Sequence, residues 1–254
     1  MKNLSRRRFL TAGIVTAAGA AGLYGAERIA NHYGLIPPDA ATWYGPGETL
    51  DYDVQRIFGR HALAREFSPS QITHPPFRNE IGPKLPATYY QMEQNGFRDW
   101  QLKIDGLVSN PASFSLSDIH SFPARSQITM LSCEEGWSYI GEWTGVPLSH
   151  LLDLAGAKPN ATYVVYRSIQ PDYWWDSLDI FEARHPQTLI AYAVNGSDLT
   201  LRTGAPLRMR VPRQLGYKSV KFINHITVTD DIKRFGDGLG SSDPAYGYAW
   251  FAGE

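Results

Sequence analysis

Short apolar runs, broken by turn-forming residues, recur along most of this chain and predict β-strands more often than helices. WQLKIDGLV at 100–108 alternates apolar and polar positions before a Ser-Asn-Pro turn, which is typical of a half-buried strand. TLIAYAV at 188–194 runs into Asn195-Gly196, a strong hairpin signal, and continues as DLTLR at 198–202. The remaining predicted strands are SQITMLSC at 126–133, TYVVYRS at 162–168, PLRMRVP at 206–212 and VKFINHITVTD at 220–230, the last two separated by a loop at Gly216.

Helical signals are few and short. Residues 115–121 suit a helix capped by Ser115 or Ser117, and 177–184 suit another. Residues 147–155 place leucines at helical spacing, with a proline at the first helical position and a glycine as the stop. Strands with interspersed short helices and no regular βαβ spacing predict an α+β domain with mixed sheets.

The first part of the chain reads differently. Residues 31–60 are rich in Gly, Pro and Tyr and show little periodicity, so we expect 31–66 to form an extended arm lying on the domain. We expect one domain from 67 to 254. Its first stretch, 67–88, should be ordered loop and not helix because it contains five prolines: Pro69, Pro75, Pro76, Pro83 and Pro86.

The N-terminus carries a twin-arginine pattern, SRRxFL at 5–10, followed by a weakly apolar stretch rich in Ala and Gly. Residues 1–30 therefore predict a Tat signal peptide and export of the folded protein to the periplasm. Retention as an uncleaved anchor stays open, although the stretch 9–26 is short for a membrane span and diluted by Gly and Thr.

Overall charge narrows the classes of partner. With a formal net charge of −1, the chain has no electrostatic support for binding nucleic acid or an anionic membrane. We expect a monomer that binds no nucleic acid.

Cys133 is the single cysteine of the chain, so a disulfide within the chain is excluded. Four interpretations remain: a buried inert thiol, an intermolecular bridge, a nucleophile or a metal ligand. Glu134 and Glu135 follow directly and should raise the pKa of the thiol, which disfavours a free nucleophile. A bound metal would instead force deprotonation, and one cysteine without further ligand spacing can serve a metal whose other ligands come from a cofactor. No histidine shows a recognisable pairing motif with the cysteine among His120, His150, His185 and His225.

A second constellation is the cationic segment GAPLRMRVPRQLGYKSVKFI at 204–223. Arg208 and Lys221 come where a strand meets a loop, which favours a phosphate-bearing ligand, and Arg78-Asn79 would add a polar clamp. The alternative is that these cations lie on solvated strand faces and bind no ligand.

Together these motifs resemble the sulfite oxidase family of molybdopterin enzymes. The run C-x-E-G-W…W-x-G-V-P-L-x-x-L-L and the later G-A-P-L-R-x-x-V-P-x-x-x-G-Y-K-S-V-K carry the resemblance, which spans roughly 75–250. It implies one molybdenum held by the dithiolene of one molybdopterin, in its mononucleotide-free form, by oxo groups and by the thiolate of Cys133. It also implies a set of cofactor-binding residues at matching positions: Arg78, Asn79, Ser168, Thr203, Arg208, Ser219, Val220 and Lys221.

The chain departs from true sulfite oxidases in ways that are similar to the bacterial periplasmic branch. Their metal-binding cysteine is followed by A-G-N-R, whereas E-E-G-W follows Cys133. We expect neither a C-terminal immunoglobulin-like domain nor a heme domain. That branch includes a methionine-sulfoxide reductase that works with a heme-bearing membrane protein.

The resemblance implies two-electron oxygen-atom transfer on a small S- or N-oxide, with protein methionine sulfoxide as one option and a membrane heme protein or soluble cytochrome as redox partner. Sulfite oxidation, a cofactor-binding protein without turnover and a cofactor-free cysteine hydrolase are the alternatives. Side chains expected to line the substrate funnel are Trp137, Tyr139, Asp172, Tyr173 and Trp174.

Overall fold

The computed structural model describes residues 35–76, 85–170 and 175–253. Its strands are β1 Gln101–Gly106, β2 Ala112–Ser115, β3 Arg125–Ser132, β4 Ser138–Pro147, β5 Tyr163–Ser168, β6 Trp175–Asp179, β7 Leu189–Val194, β8 Ser197–Asp198, β9 Arg208–Arg210 and β10 Ile223–Thr229. Its helices are α1 Gly45–Ile57, α2 Ala87–Gln94, α3 Leu116–Ser121, α4 Leu148–Leu154 and α5 Ile180–Ala183. Within these ranges we find no helix with the length and apolar character needed to cross a membrane.

Two five-stranded sheets carry the domain. The first has the order β2-β1-β10-β5-β6, with β1 and β10 parallel and the other pairs antiparallel. The second is antiparallel, with the order β3-β4-β7-β8, and β9 also pairs with β7. Both sheets contribute fully buried side chains to one apolar core, among them Leu102, Val164, Ile190 and Ile226. The predicted α+β class with mixed sheets is confirmed.

Two local predictions are also confirmed. Both concern features that depend on interactions between residues close in the sequence. Ser115 caps α3 through a reciprocal pair of bonds: its hydroxyl accepts from the Asp118 backbone N–H at 3.2 Å, and the Asp118 carboxylate accepts from the Ser115 N–H at 2.8 Å. Asn195 and Gly196 both adopt positive φ and join β7 to β8 in a two-residue hairpin.

The expected extended conformation of 31–66 is wrong for its middle part, where residues Gly45–Ile57 form α1. The face of α1 that packs on the domain combines polar groups with the Tyr52 ring, which lies against Trp250 and Phe251. The carboxylate of Glu48 accepts from the Phe251 N–H at 2.7 Å, and the Tyr52 hydroxyl donates to Asp179 at 3.1 Å. These two contacts join α1 to other parts of the chain.

Three boundary predictions need correction. The expected helix 177–184 begins as strand β6, and only Ile180–Ala183 is helical because the Asp179 side chain caps that turn by accepting from the Phe181 N–H at 2.8 Å. The expected strand 198–202 ends after Asp198, where Thr200 caps a 3-10 turn. Pro147 ends β4 and precedes the first helical residue of α4. The predicted signal peptide lies outside the described residues.

Candidate functional site

Cys133 lies in the turn that joins β3 to β4. The Cys133 N–H donates to the Trp137 carbonyl at 2.8 Å, and the Gly136 N–H donates to the Cys133 carbonyl at 3.0 Å. Gly136 has a φ of 89°, a conformation that strongly favours glycine. The turn therefore holds the thiol at the end of a paired hairpin, where the surrounding backbone is fixed.

The thiol is surrounded by negative charge. Its S–H donates to the Glu134 carboxylate at 3.2 Å, and the Glu135 carboxylate lies 3.7 Å from the sulfur. The pKa of Cys133 is raised to about 12, mainly by burial; a backbone hydrogen bond from Glu135 lowers it, and the charges of Glu134 and Glu135 contribute to the rise. Without a metal the thiol is therefore protonated at neutral pH, and a protonated thiol is a poor nucleophile. A bound metal ion, acting as a Lewis acid, would convert it to the thiolate.

The four histidines considered as partners of the thiol have other neighbours. The His185 ring bonds the Ala62 carbonyl at 3.2 Å, and His225 pairs with Asp105 at 2.8 Å. His120 packs on the ring of Tyr192, and His150 packs on Phe122. These contacts give no support to a cysteine–histidine hydrolase.

Arg208, the first residue of β9, is a buried cation. Its guanidinium donates to the carbonyls of Thr203 at 3.0 Å and Ser219 at 2.7 Å, and its carbon lies 5.1 Å from the centre of the Trp143 ring. In the described ranges no carboxylate forms an ion pair with it. Burial also lowers the pKa of Arg208. A buried cation held only by carbonyl groups provides a favourable site for an anionic ligand.

Lys221 lies beside Arg208, with which it forms an isolated β-bridge. Burial lowers the pKa of Lys221 to about 7, and the charge of Arg208 lowers it too, whereas Cys133 and Glu135 act in the opposite direction. The Lys221 side chain passes directly over Gly204, where a Cβ would lie 2.8 Å from the lysine Cγ. Lys221 is thus close enough to Arg208, Cys133 and Glu135 for the charges of all three to act on it.

The two sequence motifs meet at the Gly216 loop. A Cβ on Gly216 would lie 3.1 Å from the Ser132 carbonyl oxygen and 3.5 Å from the Cys133 Cα, so a larger residue would push the loop from the cysteine turn. The loop leads through Ser219 to Lys221. The predicted thiol and the predicted cations therefore form one site, although they are far apart in the sequence.

Three of the other predicted cofactor residues lie around this site. Ser168 ends β5 opposite Ile223 and so lies close to the residues that follow Lys221. Thr203 and Ser219 hold Arg208 through their carbonyls, and the Ser219 hydroxyl accepts from the Val211 N–H at 3.2 Å.

Val220 differs from these residues. Its side chain belongs to the apolar core and its carbonyl accepts from the Met209 N–H at 2.9 Å, so its side chain does not face a ligand. The predicted cofactor residues Arg78 and Asn79 lie outside the described residues.

The predicted substrate residues divide into two groups. Trp137 is half-buried, donates from its indole to Glu135 at 2.6 Å and stacks on Tyr139 at 6.2 Å. Tyr139 is almost fully buried against Trp143, so it supports the site from beneath. Three predicted funnel residues lie outside the described residues: Asp172, Tyr173 and Trp174.

Sequence reasoning missed further residues of the site. Glu134 and Glu135 were recognised as neighbours of the thiol but not as site residues, although Glu135 belongs to the C-x-E-G-W run. Trp143, under the guanidinium groups of Arg208 and Arg210, is the tryptophan of W-x-G-V-P-L. The presence of Glu135 and Trp143 at fixed positions of these two motifs was the sequence feature that could have identified them.

The arrangement suits a phosphate-bearing cofactor that brings its own metal. Arg208 and Lys221 supply the cationic seat, and Cys133 supplies one soft ligand. Among the described residues no cluster of three or more His, Cys, Asp or Glu side chains is positioned to hold a metal ion by itself. One thiol beside a seat for an anion fits a metal whose other ligands belong to the cofactor.

The family model of the oxidoreductase molybdopterin binding domain matches residues 89–234. That span includes the cysteine turn, the Gly216 loop and both cations.

Among curated proteins, the chain is 34% identical over 198 residues to the "Putative protein-methionine-sulfoxide reductase subunit YedZ1" of Azospira oryzae, covering 78% of this chain and 70% of that protein. It is 38% identical over 148 residues to the protein-methionine-sulfoxide reductase catalytic subunit MsrP of Xanthomonas campestris, covering 52% of this chain and 46% of that protein. The chain thus spans about half the length of the second relative.

Among solved structures, the sulfane dehydrogenase SoxCD of Paracoccus pantotrophus is similar with a TM-score of 0.51 and 21% identity, covering 72% of this chain and 46% of that one. At this identity the likeness concerns the fold.

Proposed function

The chain belongs to the sulfite oxidase family of molybdopterin-binding oxidoreductases, and from that premise we propose that it reduces methionine sulfoxide in proteins or peptides. The relatives named as methionine-sulfoxide reductases support this substrate. The observation that carries the proposal is the pair of carboxylates beside the Cys133 sulfur.

The residues present fit the cofactor. Arg208 and Lys221 would bind the phosphate of molybdopterin, in its mononucleotide-free form, because Arg208 is buried, Lys221 is half-buried, and the hydrogen bonds of the guanidinium to described residues go to carbonyl groups. Ser168, Thr203 and Ser219 would line the pterin, together with Arg78 and Asn79. Cys133 would ligate the molybdenum, whose chemistry is two-electron oxygen-atom transfer.

Charge decides between sulfoxide and sulfite. Glu134 and Glu135 place two carboxylates within 3.2 and 3.7 Å of the sulfur, so a sulfite anion approaching this position is repelled. A sulfoxide is neutral and its oxygen accepts a hydrogen bond. The carboxylates therefore favour a neutral oxide over an anionic substrate.

Sulfoxide reduction consumes two electrons and two protons and yields a thioether and water. Glu135 lies beside the thiol and accepts from the Trp137 indole at 2.6 Å, so its carboxyl group is held at the site. We assign Glu135 and Glu134 the role of passing protons from solvent to the departing oxygen. Trp137 would offer an apolar face to the methionine side chain.

For the cellular setting we propose Tat export of the folded protein to the periplasm and electrons from a membrane heme protein or a soluble cytochrome. The twin-arginine pattern supports the export route. A folded protein carries its cofactor with it, which agrees with a site built from distant parts of the chain.

Turnover tests the substrate. We expect the purified holoenzyme to oxidise a reduced dye with peptide methionine sulfoxide at a kcat/KM at least roughly 100-fold above its value for sulfite with an oxidised acceptor, a difference of about 2.7 kcal/mol in transition-state stabilisation. Steady-state kinetics of the two reactions, on one preparation of measured molybdenum content, give this ratio.

Glu135→Gln is the informative variant for this test. It removes one negative charge while keeping a group that accepts from the Trp137 indole, so sulfoxide reduction should fall and the relative rate with sulfite should rise. Faster turnover of sulfite than of any sulfoxide by the wild type would overturn the proposed substrate.

Lys221→Gln tests the phosphate seat. One lost charge-assisted hydrogen bond contributes about 1.5–3 kcal/mol, so we expect roughly 10- to 100-fold weaker retention of molybdopterin. Pterin content after extended dialysis measures this. Lys103→Gln, which changes an exposed lysine on β1, is the matched control and should retain the cofactor.

The pH dependence of folding stability provides a second test of Lys221→Gln. The folded-state pKa of Lys221 is about 7 against an ordinary 10.5, so the unfolded chain binds more protons between these values. The cofactor-free wild type should gain stability as the pH rises above about 7, and Lys221→Gln should lack that gain. Equal pterin retention in both lysine variants would contradict the assigned role.

A further inference from the structure

An apolar stripe covers the outward face of α1. Ten large apolar side chains are exposed among the described residues, and six of them fall in this short part of the chain: Trp43, Leu50, Val54, Ile57, Phe58 and Leu63. Phe58 is 82% exposed and Leu50 is 67% exposed. Surface hydrophobic residues are ordinary when scattered, but a concentration of this kind marks a binding surface.

Helical spacing explains why these side chains form one stripe. Leu50, Val54, Ile57 and Phe58 fall within an arc of about 100° on a helix of about 3.6 residues per turn. The opposite side of α1 carries the buried residues Glu48 and Tyr52. The inner side is thus anchored by a buried carboxylate and by the Tyr52 ring, which packs on Trp250 and Phe251, while the outward side carries the apolar stripe.

The inner contacts hold this orientation. Arg56 pairs with Asp179 at 2.9 Å, and the Tyr52 hydroxyl donates to the same carboxylate at 3.1 Å. A small cavity beside α1 is lined by Tyr52, Arg56 and Phe181, and so lies on this inner side. The helix cannot turn its apolar stripe inwards without breaking a buried ion pair.

We propose that the outward stripe of α1 inserts into the surface of a lipid bilayer. An apolar helix face with an aromatic residue at each end, Trp43 and Phe58, is suited to the boundary between headgroups and acyl chains. The weakly apolar stretch 9–26 shortly precedes Trp43 in the sequence, which agrees with a position of α1 near a membrane. Because the net charge is −1, hydrophobic insertion and not charge provides the attraction.

Hydrogen–deuterium exchange on the full-length holoenzyme tests this contact. With vesicles of zwitterionic phosphatidylcholine, we expect amides of residues 43–58 to exchange about tenfold more slowly than in solution. Because the contact is apolar, the protection should persist at about 0.5 M salt. Amides of β1, which lies in the domain core, should be unaffected and serve as the internal reference.

A variant with Leu50→Ser, Val54→Ser, Ile57→Ser and Phe58→Ser should lose the protection, since each apolar side chain contributes about tenfold or more to partitioning. Leu154→Ser, at an exposed leucine on α4, is the matched control and should keep it. Both variants should retain the melting temperature and the turnover with a reduced dye, which shows that folding and catalysis are intact.

Three results would overturn the inference. Exchange of 43–58 that is the same with and without vesicles shows that lipid does not cover the stripe. Equal protection in the serine variant shows that another part of the chain makes the contact. Protection by native membranes, but not by vesicles of lipids extracted from them, identifies a membrane protein as the occupant instead.

Discussion

Replacing Cys133 by serine or alanine should abolish turnover. A change next to a metal ligand typically costs about 10- to 100-fold in metal affinity or activity, and loss of the ligand itself should exceed that range. Because we propose that Arg208 and Lys221 hold the phosphate and not the metal, the variant should keep most of its pterin while the molybdenum-to-pterin ratio falls. Metal analysis, pterin fluorescence and dye-coupled assays on one preparation measure all three quantities.

The Cys133 variants should fold normally, since the thiol lies half-buried in a turn and its backbone bonds do not involve the side chain. Ser138→Ala, at an exposed position on the same hairpin, is the control and should leave activity unchanged. Full sulfoxide turnover by Cys133→Ala would show that the thiol is not a ligand. Molybdenum content near one per chain with no activity would restrict its role to tuning the metal.

Lys218→Met should destabilise the fold by about 3–5 kcal/mol, the usual cost of removing one partner from a buried ion pair. Lys218 contacts the Asp176 carboxylate at 2.5 Å, and both side chains are 1% exposed. Burial and the nearby Asp243 already raise the pKa of Asp176, whereas the charge of Lys218 lowers it. Without the lysine, this carboxyl group must take up a proton or remain as a buried charge.

Thermal and urea unfolding of the cofactor-free protein measure this effect, with an expected fall in Tm of roughly 10 °C. The double variant Lys218→Met with Asp176→Asn should recover much of the loss, because Asn keeps an acceptor for the Ser177 N–H at 2.6 Å without the charge. If the single and double variants unfold alike, the pair is not the source of the effect.

Two lysines three positions apart therefore have different roles. Lys218 is turned into the core, where its backbone carbonyl also accepts from the Tyr166 hydroxyl at 2.9 Å, whereas Lys221 lies beside Arg208 and near the thiol. The sequence placed both in one cationic segment. Only the packing of the Gly216 loop distinguishes Lys218, which is buried in an ion pair, from Lys221, for which we propose a role in ligand binding.

Local patterns predicted the frame of the molecule well. Alternation marked β1, and the Asn-Gly pair marked the β7–β8 hairpin, because hydrogen bonds between near neighbours decide those features. The pattern failed at α1, whose inner face packs on Asp179 and the C-terminal segment. The helical spacing of Leu50, Val54 and Ile57 covers only about two turns and follows a run rich in Gly and Pro, so the sequence window did not favour a helix.

The candidate site was likewise predicted in part. Motif letters identified Cys133, Arg208 and Lys221, and the structure brings the three into one region. For two other predicted site residues, only the coordinates show where the side chain lies. Val220 has its side chain in the core, and Tyr139 lies beneath the site. The contacts of Glu134 and Glu135 with the thiol depend on the shape of a turn.

The sequence by itself determined the chemical types available: one thiol, two adjacent carboxylates, a cationic segment and an α+β pattern of strands. Residue identity and near-neighbour spacing are sufficient for such inferences. Only the tertiary structure decided that the thiol and the cations meet, that Lys218 is neutralised by Asp176, and that α1 turns its apolar stripe outwards. These outcomes depend on burial and on contacts between residues distant in the chain, which set desolvation and pairing and are absent from any local window.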